Sequence, residues 1–122
     1  MCLTVNENFA APTEDFTCYK ALRVSGYKYY YSPYVGHQYV IGETVVASGP
    51  LGQDYYYESG VLHAYTDYAA AYDMYKKCKR GRLGHPYAIV KCIGKPEHYV
   101  AHGMENDICF TQLFVKEVVE CD

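Results

Sequence analysis

Only one stretch of the 122 residues carries a helical pattern, SGVLHAYTDYAAAYDMYKKCKRG over residues 59–81, and β-rich segments precede and follow it. A lone helix has no second helix on which to bury its apolar stripe, so this one must pack on a sheet. Ala71, Met74, Tyr75 and Cys78 fall at i, i+3, i+4 and i+7 and define that stripe. Cys78 therefore reads as core. Thr66 reads as the N-cap, with Asp67 in the first turn, where a negative charge complements the helix dipole. Lys76, Lys77, Lys79 and Arg80 crowd the last turn before Gly81. The spacing predicts a helix over residues 66–80.

The rest reads as strands. Residues 17–24 (TCYKALRV) are β-rich and stop at Ser25-Gly26, and residues 38–48 (QYVIGETVVAS) form a second run broken at Gly42. Turn residues follow over 49–54, and residues 60–65 give a short strand that leads into the helix. Beyond the helix come strands over 86–94 and 98–103, separated by a turn at 94–97, and one long final strand over 108–120, so the C-terminal half reads as a β-meander. The fold class predicted is α+β: a mainly antiparallel β-sheet or partial barrel with one principal α-helix packed on it. A chain of this length buries roughly two-thirds of its unfolded surface. One small domain over residues 1–122 is expected, with residues 1–15 extended or poorly ordered.

With 50% hydrophobic residues, 20% charged residues and a net charge of -3, the chain fits neither a disordered segment nor a bulk nucleic-acid binder. The start of the chain lacks a basic, apolar leader pattern, and nowhere do about eighteen apolar residues run together, so a cytoplasmic protein without a membrane span is expected. Six cysteines (Cys2, Cys18, Cys78, Cys92, Cys109 and Cys121) are then expected as reduced thiols, and none forms a CxxC pair. His98 and His102 on a strand stand roughly 13 Å apart. That is too far to share a zinc with bonds of about 2 Å. Neither a metal nor a cofactor is expected.

Sixteen tyrosines and no tryptophan crowd into KYYYSPY (28–34) and QDYYYE (53–58). Successive residues of a strand point to opposite faces, so each cluster sends some rings inward and some outward. These are either half-buried segments or an aromatic surface suited to stacking a base or gripping a protein. At the strand-to-helix junction, His63 shares a face with Val61 and Tyr65 and precedes a helix start whose amides suit an anion. His63, Tyr65 and Thr66 are predicted to line a pocket closed by Tyr30, Tyr31, Tyr34 or Tyr56, with Lys20 as charge partner. The competing reading is a half-buried His63 bonded to a backbone carbonyl, with no cavity. The basic run over 76–82 likewise reads either as a phosphate patch or as ordinary helix-end cations.

CYKAL (18–22), SPYVGHQYVIGE (32–43), SGVLHAYTD (59–67) and YAIVKCIG (87–94) occur in an order that resembles a group of small uncharacterised proteins of bacteria, prophages and phages. The resemblance runs over residues 14–120 and matches at Tyr19, Lys20, Gly42, Gly60 and His63, with one residue more between Gly60 and His63 than the group's pattern has. It implies no activity. It is consistent with a non-enzymatic binding protein, a phage or prophage factor in the host cytoplasm that sequesters a small anionic or nucleotide-like ligand or inhibits a host defence protein. A homo-oligomer and a structural or assembly role stay open. The enzymatic alternative is a hydrolase or transferase in which removal of Met1 leaves Cys2 with a nucleophilic thiol and an amine base. An ADP-ribosyltransferase-like reading of HAYTDYAAAY needs a late-strand glutamate, for which Glu117 and Glu120 are the candidates. Glu117 fits an ordinary solvent face.

Overall fold

The computed structural model describes residues 5–25, 29–31, 38–47, 61–81 and 86–121. Strand β1 (Phe16–Ser25) is followed by β2 (Tyr29–Tyr31), β3 (Gln38–Tyr39), β4 (Thr44–Val46) and β5 (Leu62–Tyr65). Helix α1 (Tyr68–Gly81) then leads to β6 (Tyr87–Gly94), a 3-10 turn (Pro96–His98), β7 (Tyr99–His102), β8 (Asp107–Phe110) and β9 (Gln112–Cys121). The sheet runs β4-β9-β6-β1-β5-β8-β7, with β2 paired to β1 and β3 to β2. Every described pairing is antiparallel. The fold is a small α+β domain with an open sheet, which replaces the partial-barrel alternative. No helix among the described residues is long and apolar enough to cross a membrane.

Strand alternation in β1 divides the interior. Cys18 and Leu22 join a core formed with Leu62, Val90, Phe110 and Val115 on one face. Ala21, on the other face, packs with Tyr65, Ile89 and the helix residues Ala71, Tyr75 and Cys78. The stripe read from the sequence is thus the stripe that packs, with Met74 at its margin. Each of these large apolar side chains contributes roughly 1.5–3 kcal/mol on full burial.

Two sequence expectations need correction. The run over 108–120 is two strands, because Thr111 leaves the ladder: its N–H donates to the His98 carbonyl at 2.8 Å and its carbonyl accepts from Ala47 N–H at 3.0 Å. The C-terminal half is also not a meander. β7 and β8 form a hairpin beside β5, whereas β9 crosses to the far side and pairs with β6. Strand propensity says nothing of partners, and here the partners are non-local.

At the end of β6, Gly94 lies under the Phe110 ring, and a Cβ built there would stand 2.4 Å from Phe110 Cζ. Gly94→Ala is expected to destabilise the domain by about 1–3 kcal/mol, the cost of overpacking, read by urea denaturation. An unchanged midpoint would refute this close approach. Cys18, Cys78, Cys92 and Cys109 are buried thiols and Cys121 is an exposed one. Burial pushes the Cys92 thiol up to about 12, and burial followed by the neighbouring Cys92 raises Cys18. Thiol titration of the native protein is expected to modify Cys121 promptly and Cys18, Cys92 and Cys109 only after denaturant is added.

Candidate functional site

The strand-to-helix junction forms from the residues that announce it, with one shift. The helix begins at Tyr68, so the N-cap is Asp67 and not Thr66. The Asp67 carboxylate accepts the Ala70 N–H at 2.8 Å, the N-cap geometry, and it brings a negative charge to the place where an external anion would have to bind. Thr66 does other work. Its N–H and its hydroxyl both donate to the Asn106 carbonyl, at 2.7 and 3.1 Å, tying the β7–β8 turn to the start of α1.

That turn is braced from within. The Asp107 carboxylate accepts the Glu105 N–H at 3.1 Å, and Gly103 N–H donates to the Asp107 carbonyl at 2.8 Å. A side chain at Gly103 would collide with the Asp107 carboxylate. Asn106 takes the left-handed conformation (φ 58°) that asparagine tolerates. Burial pushes the Asp107 carboxyl up, opposed by the Glu105 N–H. Burial pushes the nearby His102 imidazole down, opposed by the Asp107 charge. His102 also meets the Tyr99 hydroxyl at 2.9 Å through Nδ1 and stacks with Phe9, ring centres 4.9 Å apart. The segment before β1 is thereby held on the β7 edge, where Val5 bridges Gly103.

Between α1 and this turn lies an open groove of about 740 Å³. Its described lining includes Asp67, Asp73, Lys77 and Glu105, with Tyr65, Ala69, Ala70, Met74 and Asn106 between them. Three carboxylates face one ammonium. This groove shares Tyr65 with the pocket expected from the sequence, and its described lining carries more acidic than basic side chains. Among the described residues no three His, Cys, Asp or Glu side chains come together to hold a metal.

Among the described residues, Tyr65 alone of the ligand-site residues expected from the sequence lines the groove. His63 is 1% exposed and sits opposite Cys109 in the β5–β8 ladder. Lys20, 5% exposed, does reach His63, but through the backbone: its ammonium donates to the His63 carbonyl at 2.6 Å and lies 5.5 Å from the centre of the Tyr39 ring. Tyr30 packs against the core beneath β1. Tyr31 accepts the Arg23 guanidinium over its ring at 5.7 Å. Cys2, Tyr34 and Tyr56 lie outside the described residues. Asp73 was missed and Lys77 was read only within the basic run over 76–82, although their helical spacing from Ala70 marks one flank. Glu105 carried no local signal, since strand pairing delivers it.

The other flank of α1 bears a tyrosine ladder. Tyr19 meets Tyr68 edge-on at 6.0 Å, and Tyr68, Tyr72 and Tyr75 stack successively at 5.8 and 5.7 Å. The ammonium groups of Lys76 and Lys79 sit 5.1 and 4.9 Å from the Tyr72 and Tyr75 ring centres, and the Tyr68 hydroxyl donates to Glu120 at 3.1 Å. Aromatic pairs of this kind contribute roughly 0.5–1.5 kcal/mol beyond their buried area. The chain's own cations and carboxylate occupy this flank, so it fastens the helix to the sheet.

Because the cap is a single side chain, Asp67→Ala is expected to cost about 1 kcal/mol of stability and Asp67→Asn much less, compared by thermal or urea unfolding. Equal losses from both would show that the carboxylate contributes by something other than capping. No protein-family model matches the chain, and no curated protein or solved structure matches it either.

Proposed function

We propose that this is a non-enzymatic binding protein that holds a positively charged segment of a partner protein along the groove beside α1. The observation that carries the reading is the groove's charge: Asp67, Asp73 and Glu105 against Lys77, over an apolar floor that includes Tyr65 and Met74. A lysine or arginine side chain gains charge-assisted hydrogen bonds there and lays its methylene stem on that floor. A nucleotide phosphate would be repelled by the same carboxylates, and the helix start it would seek already carries the Asp67 side chain. Of the two ligand classes expected from the sequence, the protein partner is favoured. A phage or prophage factor of the kind the chain resembles would use such a face to cover a basic surface of a host protein. The high Cys92 and Cys18 thiols, sealed in the sheet, favour binding over thiol chemistry at those positions.

The test uses a short arginine-rich peptide as probe, titrated against the protein with tyrosine fluorescence and calorimetry as readouts, beside a panel of nucleoside phosphates. The peptide is expected to bind and to weaken with added salt, and Asp73→Lys with Glu105→Lys to lower its affinity at least about tenfold, the scale of losing charge-assisted bonds. Binding of a nucleoside phosphate in place of the peptide would overturn the reading.

A further inference from the structure

We infer that the groove flank of α1 is self-complementary and docks a second copy of this chain in antiparallel orientation. The inference rests on the reading of the groove as a cation-accepting face, and it names the occupant. Ala70, Met74 and Lys77 recur every three or four residues along one flank of a helix with 3.6 residues per turn, and Asp67 caps that helix at its start. Asp73 and Arg80 stand together at the flank's outer margin, and Asp67, Asp73, Lys77 and Arg80 are all exposed. The flank is therefore acidic at its N-terminal end, small and apolar in its middle and basic at its C-terminal end.

A two-fold interface requires that residue i meet residue j and that j meet i. With the axis level with the midpoint between Asp73 and Met74, antiparallel helices bring Asp67 of each copy level with Arg80 of the other. Ala70 then stands level with the second copy's Lys77. The Lys77 and Arg80 side chains of each copy enter the other's groove, where Asp67, Asp73 and the turn residue Glu105 await them. Ala69 and Ala70 leave room for close approach. A parallel arrangement would set acid against acid and base against base. The complementarity thus selects the orientation as well as the occupant.

The helix of 14 residues is about 21 Å long. One helix pair buries less than the roughly 1,600 Å² of a standard stable interface, so the dimer is a weak one, with a dissociation constant on the order of 10 µM to 1 mM. It occupies the same flank as a foreign basic segment, and the two compete.

Sedimentation of the full chain over rising concentration tests this, with folding checked by circular dichroism. The wild-type protein is expected to dimerise reversibly and to dissociate as salt is raised. Lys77→Glu with Arg80→Glu, and separately Asp73→Lys with Glu105→Lys, are each expected to be monomeric. An equimolar mixture of the two variants is expected to dimerise again, because the heterodimer retains one native set of charge pairs and gains reversed pairs among positions 73, 77 and 105, against one like-charge contact between Asp67 and position 80. Wild-type protein that stays monomeric to about 1 mM, association that survives in either folded variant alone, or a mixture of folded variants that fails to associate overturns the inference. If the wild-type chain is monomeric yet the arginine-rich peptide binds and is lost on charge reversal, the second copy is wrong and the binding function stands. If the peptide also fails to bind, both fall.

Discussion

The ladder between β1 and β6 is the constraint on which the rest of the molecule depends. It pairs eight residues of each strand, from Phe16 with Gly94 to Arg23 with Tyr87, without a register shift. Because side chains alternate across a strand, a slip of one residue would exchange the Cys18–Leu22 face for the Tyr19–Ala21 face and empty both cores. The other edge of β1 is shared, by β5 near Tyr19 and by β2 near its end. Lys20 lies buried at this crossing, its ammonium spanning from β1 to the His63 carbonyl of β5. A charge held there is tolerable because it is hydrogen-bonded and lies near an aromatic ring.

From that frame the groove follows by two short links. β5 runs into α1 with only Thr66 and Asp67 between them, and each does a separate task. Asp67 closes the helix start, and Thr66 grips the Asn106 carbonyl. The turn that carries Glu105 to the groove rim is therefore fixed by the residue that precedes the cap, and the acidity of the rim is built into the same few bonds that hold the elements together. A helix start is often an anion site. Here the cap supplies its own carboxylate and the turn adds another.

The two flanks of α1 differ in what meets them. On one side, tyrosine rings, lysine ammonium groups and Glu120 satisfy one another. On the other, Asp73 and Lys77 stand exposed beside the groove. Asp73 does reach Lys76 at 3.6 Å, but both side chains are largely exposed and such a pair is worth little. It can be exchanged for a better-placed cation at small cost.

What the sequence by itself determined was everything that follows from short periodicities. The 3.6-residue spacing marked Ala71, Tyr75 and Cys78 as one buried stripe, and the alternation through residues 61–65 set Leu62 and Ala64 on the face opposite Tyr65. Helix ends were legible to within two residues, because Thr66 and Asp67 are both good caps and only the partner of Thr66 distinguishes them. Tertiary structure alone decided the pairings and the character of the site. Cys18 lies against the Cys92 backbone across 74 residues, and Thr66 meets Asn106 across 40. No local propensity encodes such separations, because they pay off only when the whole sheet closes around them. The groove's charge is the clearest case: Asp67 caps and Asp73 lies on a helix that the sequence announced, but Glu105 joins them at the groove only through the β7–β8 hairpin.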